Sequence, residues 1–396
     1  MSQLSRRQIL LGLSGAGLAT VLAGRGIARV RQSGAPQPGQ QGQLISNPFI
    51  SGELGYSCYR TPGLAISAKG SVLAFCGGRV DNCKDEGNID VLLRRSLDGG
   101  RSWEPLQVLA NDGPNPCKIP LPVVLPSGRI LLLWLWNASI ASESDRGSRD
   151  VRITFSDDDG SSWAPSRDIT SQVRLPGWKL WYGIGPGHGI VKQLEPASGR
   201  IVVPARHNIK GRGSASHLLL SDDGGVSWRV GAVASYSPSN ECAVTELGDG
   251  SLMLNSRSKG GRRVVSISRD GGLTMASSGP DPQLIEPLNG CQASLLTYGF
   301  GPGQQATLLF ANPVDLQHRT NGRLRLSTNN GQSWNRGFGY GQGAGSFTGY
   351  SDLARFANGD VALLVESGAS YRKARDNQRH GGIVFQRIPF ELIRSA

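Results

Sequence analysis

Ser156-Asp157-Asp158-Asp159-Gly160-Ser161-Ser162-Trp163 reads as a tight turn closed by a large aromatic side chain. An acid followed by Gly favours a turn, because the carboxylate bonds back to the backbone and Gly accepts positive φ. The Trp supplies an apolar body that can fold over the turn. The spacing S-x-D-x-G-x-[ST]-W returns at Ser96–Trp103 and Ser221–Trp228. Two degraded copies follow. Ser268–Met275 has Met in place of Trp, and Ser327–Trp334 has Asn329 in place of the first Asp. The copies start at 96, 156, 221, 268 and 327, so they recur every 47 to 65 residues.

Each copy follows a short alternating or apolar run: Ile89 to Leu93, Arg152 to Phe155, His217 to Leu220, Val264 to Ile267 and Leu324 to Leu326. The unit is therefore strand, turn, strand. A lone hairpin is unstable in water and has to stack on its neighbours. Hairpins at this period indicate radial blades. The sequence predicts an all-β fold, a six-bladed β-propeller of four-stranded blades over residues 45–396. The boxes themselves are structural.

Composition agrees. The chain has 396 residues and 55 Gly, which suits many short strands joined by tight turns. No stretch is long and apolar enough for a stable membrane span. Arg6-Arg7 precedes a short hydrophobic region, Leu11 to Ala23. That order predicts an export signal of the twin-arginine type over residues 1–30, hence a periplasmic or extracellular destination. Residues 31–44, rich in Gln, Gly, Pro and Ser, read as a linker. The net charge is +12, and the five arginines at 6, 7, 25, 29 and 31 leave +7 once the signal is removed. A mildly basic surface favours an anionic partner. No basic run with interleaved aromatics suggests nucleic acid. The six cysteines form no CxxC pair, so no metal site is expected. Cys83 with Cys117 is a conceivable disulfide, which spacing leaves open, and buried thiols are expected for most of the rest.

Several charged motifs lie outside the boxes. They include Tyr59-Arg60-Thr61-Pro62, the acid-rich loop Gly77 to Asn88, Gly185-Pro186-Gly187-His188-Gly189-Ile190, and Asn240-Glu241-Cys242. Glu241 stands before a predicted hairpin, turning at Leu247 to Gly250, and Arg257 stands after it. Further on come Asn312 to Arg319, Gly349-Tyr350-Ser351-Asp352-Leu353 and Leu363 to Glu366. Together with the boxes, these motifs resemble the sialidase (neuraminidase) superfamily, and in particular bacterial exo-alpha-sialidases with Asp-box (BNR) repeats. The likeness covers nearly the whole chain after the signal. Thr61 departs from it, since Ile is usual there.

The resemblance implies a set of roles. Arg60, Arg257 and Arg319 would bind the substrate carboxylate, with Arg323 and Arg325 close enough to Arg319 for an alternative register. Arg79 would support the site, and Glu366 would orient Arg60. Tyr350 would be the nucleophile, Glu241 the base that activates it, and Asp85 the general acid and base, with Asp81 as its rival. The GPGHGI segment would shape the pocket wall, with His188 structural. Arg206 and His207, at a strand end, would line the pocket.

This set of residue types suits one chemistry. A sialic acid carries a carboxylate on its anomeric carbon. Three guanidinium groups give planar, permanently charged recognition of it. A carboxylate nucleophile would be repelled there, whereas a neutral phenol would not, and sialidases are a known exception to the two-carboxylate rule. A phenol with a reference pKa near 10 needs a base beside it. The expectation is an exo-alpha-sialidase that removes terminal sialic acids with retention, through a tyrosyl intermediate. It needs no cofactor and no metal, and its partners are sialylated glycans or other acidic sugars. A propeller that only binds acidic glycans, or a glycosidase or transferase acting on a related ulosonic acid, is the alternative.

Overall fold

Every turn box closes in the same way. In the first, Ser96 Oγ accepts from Gly100 N at 2.7 Å and donates to Asp98 Oδ1, which in turn accepts from Ser102 N at 2.9 Å. The degraded copies keep this pattern. Asp270 accepts from Thr274 N at 3.0 Å, and Asn329 Oδ1 accepts from Ser333 N at 3.0 Å. Asn329 can replace Asp because its amide Nδ2 donates to the Ser333 hydroxyl at 2.9 Å. The box Gly is required on two counts. Gly100 has φ +94, and a Cβ there would lie 2.0 Å from Phe385 of the adjoining blade. Where a box keeps its Trp, the ring packs at a blade boundary, as in the edge-on contact of Trp103 with Phe385 at 5.4 Å.

The structure is a computed structural model that describes residues 43–138, 149–178, 180–209, 211, 213–342, 345–369 and 381–396. The expected export signal and residues 31–42 of the linker lie outside these. The described strands form six antiparallel sheets in a ring. The first blade contains Cys58–Ile66, Val72–Arg79, Ile89–Ser96 and Gln107–Ala110, in that order from the centre outwards. The next four blades repeat the plan, with innermost strands Cys117–Val124, Leu180–Ile184, Cys242–Glu246 and Ser294–Gly301. The third sheet gains a short fifth strand, Ile190–Val191. The sixth blade is composite: Phe347–Arg355, Val361–Gly368 and Gly382–Ile388 accept Leu44–Ile50 as their outer strand. The N-terminal strand thus closes the ring. This also explains why five boxes serve six blades. A box joins the third strand of a blade to the fourth, and in the last blade that connection does not exist.

Most of the inner strands are buried along nearly their whole length, as in Cys58–Ile66, Cys117–Val124 and Phe347–Arg355. Hydrophobic clusters fill each blade boundary, for example Leu73, Phe75 and Leu93 against Leu132 and Trp134. Among the described residues, no helix is long and apolar enough to cross a membrane.

One sequence expectation is overturned. Cys83 pairs with Cys58, not with Cys117. Cys58 opens the innermost strand of the first blade and pairs in register with Arg79. The loop after Arg79 folds back over that strand end and delivers Cys83 to it. Cys117 is a buried free thiol, as are Cys76, Cys242 and Cys291.

Replacing both Cys58 and Cys83 by Ser should lower the unfolding free energy by about 2–4 kcal/mol, the usual range for a disulfide. Chemical denaturation of the oxidised wild type and the double variant measures this. An unchanged midpoint would show that the bond forms without constraining the chain.

Candidate active site

The innermost strands all begin at one end of the ring, and four of them are irregular there. Their pairing slips between Arg60 and Gly63, Lys118 and Leu121, Leu180 and Gly183, and Thr348 and Ser351. Such bulges re-aim side chains. Thr61 and Ile119 sit in two of them with φ of 57° and 59°, a conformation that non-glycine residues rarely adopt. Thr61 is held in it by its N–H, which donates to Glu366 Oε1 at 2.8 Å. The bulges turn Arg60, Lys118 and Tyr350 into a cavity of about 640 Å³ at the mouth of the ring.

Most of the residues given roles from the sequence meet at this place. Arg60, Arg79, Asp85, Glu241, Arg257, Arg319 and Tyr350 line the cavity. Glu366 lies behind it, fully buried. One carboxylate oxygen of Glu366 accepts from Thr61 N and pairs with Arg60 Nε at 3.4 Å, and the other accepts from Tyr350 N at 3.2 Å. It therefore anchors a triad arginine and the backbone under the phenol together. Asp81, the rival acid, does not line the cavity. Neither does the GPGHGI segment, which the sequence reading placed in the pocket wall. Pro186 O accepts from Gln292 Nε2 at 3.3 Å, and His188 Nδ1 meets Asp352 Oδ1 at 2.7 Å. These contacts cross the ring axis, so the segment plugs the channel beneath the cavity.

The phenol of Tyr350 donates to Glu241 Oε1, and its oxygen also accepts from Arg257 Nη1 at 3.2 Å. Arg60 and Arg319 stand over its ring, 5.6 and 5.3 Å from the centroid. Burial and the Glu241 charge push the phenol well above its ordinary pKa, against the pull of the arginines, so it is neutral here. Burial favours the protonated form of Glu241, but Arg257 at 2.8 Å and Arg206 at 3.1 Å outweigh it and hold the carboxyl at about 2. Asp85 projects from its loop with its side chain 47% exposed. Arg79 Nη2 donates to it at 2.6 Å, and Arg60 lies 3.6 Å away. Partial burial raises its pKa, but Arg60, Arg79 and Lys118 more than reverse this and keep it ionised, well below the ordinary carboxylate range.

Eight cationic side chains line the cavity, against two carboxylates. Three of the cations, Lys118, Arg149 and Lys259, were not anticipated. Lys118 borders a bulge and Lys259 lies in a bend after a strand, where facing cannot be read from alternation, and Arg149 opens the strand Arg149–Ser156. Arg206 was expected only at the pocket edge, yet it pairs with the base. Its neighbour His207 stacks on Trp178 at 3.6 Å and meets His217 Nδ1 at 3.1 Å. Burial lowers the His207 pKa to about 4, so this wall is neutral and the positive charge belongs to the arginines and lysines.

The BNR repeat-like domain family matches residues 70–363. A sialidase of Micromonospora viridifaciens is 29% identical, over 94% of this chain and 60% of its own length. An exo-alpha-sialidase of Aspergillus fumigatus is 28% identical, over 82% of each chain. Among solved structures, the Hadza microbial sialidase Hz136 matches with a TM-score of 0.76 at 26% identity, covering 88% of this chain and 69% of that one. A leech intramolecular trans-sialidase shares the fold, with a TM-score of 0.79 at 17% identity over 89% of this chain and 71% of that one. The chain therefore spans about three fifths of the Micromonospora protein and most of the Aspergillus one. Repeats, propeller and relatives agree: the chain belongs to the BNR repeat-like domain family and to the sialidase superfamily.

Proposed function

We propose that this protein is an exo-alpha-sialidase that cleaves terminal sialic acids from glycans with retention, through a covalent intermediate on Tyr350. The observation that carries this reading is the phenol bonded to a buried carboxylate beneath three arginines. The arginines Arg60, Arg257 and Arg319 would hold the carboxylate on the anomeric carbon. Its negative charge would then weaken the grip of Arg60 on Asp85 and of Arg257 on Glu241. Both carboxyls would become more basic when substrate is bound.

In the first step the Tyr350 oxygen attacks the anomeric carbon and the glycosidic C–O bond breaks. Asp85 gives its proton to the leaving oxygen, and the phenol proton passes to Glu241. In the second step Asp85 takes a proton from water, and the water oxygen attacks the same carbon. The phenolate leaves and recovers its proton from Glu241. Two inversions give net retention. The expected export is supported by the Cys58–Cys83 bond, since disulfides persist in oxidising compartments.

An α-sialoside with a fluorescent leaving group tests the assignment. The wild type should release it, with the α-anomer appearing first by NMR, and Tyr350→Phe should lose at least about a hundredfold in kcat. A wild type that binds sialosides without cleaving them would reduce the site to a lectin. For a sugar leaving group, Asp85→Asn should cost about 10²–10⁴-fold, and much less for a good aryl leaving group. Equal losses on both substrates would remove Asp85 as the acid.

The pH profile follows from the depressed Asp85 pKa. The free enzyme must carry a proton on Asp85 to start the reaction, and kcat/KM reports the free enzyme. On the sugar substrate, kcat/KM should rise as pH falls through the neutral range into the acid range. The Asp85→Asn variant, assayed on the aryl substrate, should be flat across that window. A wild-type maximum on the alkaline side of neutrality would contradict the assignment.

A further inference from the structure

The mechanism leaves unexplained a buried ion pair one layer behind the cavity. Glu286 and Arg263 are both fully buried, with Arg263 Nη1 2.9 Å from Glu286 Oε2. We propose that Glu286 is a positioning residue for the Arg257 and Arg319 half of the carboxylate clamp. The inference rests on the clamp assigned above and adds what holds it.

Each oxygen of Glu286 has a distinct task. Oε1 accepts from Ser258 N at 2.8 Å and from its hydroxyl at 3.2 Å, which fixes the chain directly after Arg257. Oε2 accepts from Cys291 N at 3.2 Å as well as from Arg263. Arg263 also donates to Cys291 O and, at 2.8 Å, to Asn255 Oδ1. One carboxylate therefore pins both the strand end that carries Arg257 and the far end of the loop 287–291.

That loop touches both arginines. Asn289 O accepts from Arg257 Nη2 at 2.8 Å, and Gly290 O accepts from Arg319 Nη2 at 3.4 Å. On its outer side, Leu288 N donates to Leu316 O at 2.8 Å, three residues before Arg319. The loop thus spans the gap between two side chains that repel each other, and its carbonyls fix their directions. Gly290 marks how tight the fit is. It has φ +70, and a Cβ there would lie 2.4 Å from Ser258 O and 2.6 Å from Arg257 Nε.

In Glu286→Gln, whichever way the amide turns, its nitrogen meets donors, either at Ser258 or at Cys291 and Arg263, so acceptor bonds are lost while the volume is kept. Gly290→Ala disturbs Arg257 from the loop side and leaves the buried pair intact. The readout is preference for a charged ligand: inhibition constants for a 2,3-unsaturated sialic acid and for its C1 carboxamide. The wild type should prefer the acid. Both variants should lower that preference at least about tenfold, with carboxamide binding little changed and KM for the fluorescent sialoside raised more than kcat is lowered. An unchanged preference in either folded variant, judged by near-UV circular dichroism, overturns the proposal. If Glu286→Gln does not fold, Gly290→Ala decides. A wild type with no preference for the acid would sink the arginine clamp itself, and the role of Glu286 with it.

Discussion

Like charges that converge on one small cavity must be held there against their repulsion. Unit charges a few ångströms apart interact strongly once water is thinned out. Here the opposing charge is supplied from behind and between the cations. Glu366 pairs with Arg60, Glu241 with Arg206 and Arg257, and Asp85 with Arg60 and Arg79. Two of these three carboxylates belong to the proposed chemistry. The proposed acid and base are thus also counter-ions of the arginines. In the proposed mechanism an arriving carboxylate would loosen the pairs that the chemistry needs released, and so would couple recognition to proton transfer.

Much of this was legible in the residues. The boxes revealed the blades because each is a local device. Ser96, Asp98, Gly100 and Ser102 satisfy one another within a single turn, so spacing alone reveals them. The residues that meet at the cavity could be named because they stand in motifs of recognisable form. What could not be read depends on contacts between distant segments. Arg206 looked like one more strand-end charge, and only the ring brings it to Glu241. Glu286 and Arg263 are ordinary residues in sequence, and their role depends on a loop that returns to the end of a neighbouring strand. The disulfide stayed open for the same reason: Cys83 reaches Cys58, not the conceivable Cys117, by a fold-back that spacing does not encode.

The closure of the ring sets a further condition on the site. Arg60 comes from the first blade, while Tyr350 and Glu366 come from the last. The bond from Glu366 to Thr61 N crosses the boundary between the first and last blades, while its bond to Tyr350 N stays within the last. Leu44–Ile50 completes the outer edge of that same last blade. Anything that loosens this strand acts on a sheet whose inner edge carries the proposed nucleophile. Closure is also a long-range event, since it joins residues separated by nearly the whole chain, and such contacts form late. Glu241, Arg257, Arg319 and Tyr350 belong to adjoining blades, so closure adds Arg60 to them and brings Thr61 N to Glu366. The arginines would be brought together only in the presence of the carboxylates that restrain them, so the unfavourable crowding of charge is deferred until the structure that compensates it exists.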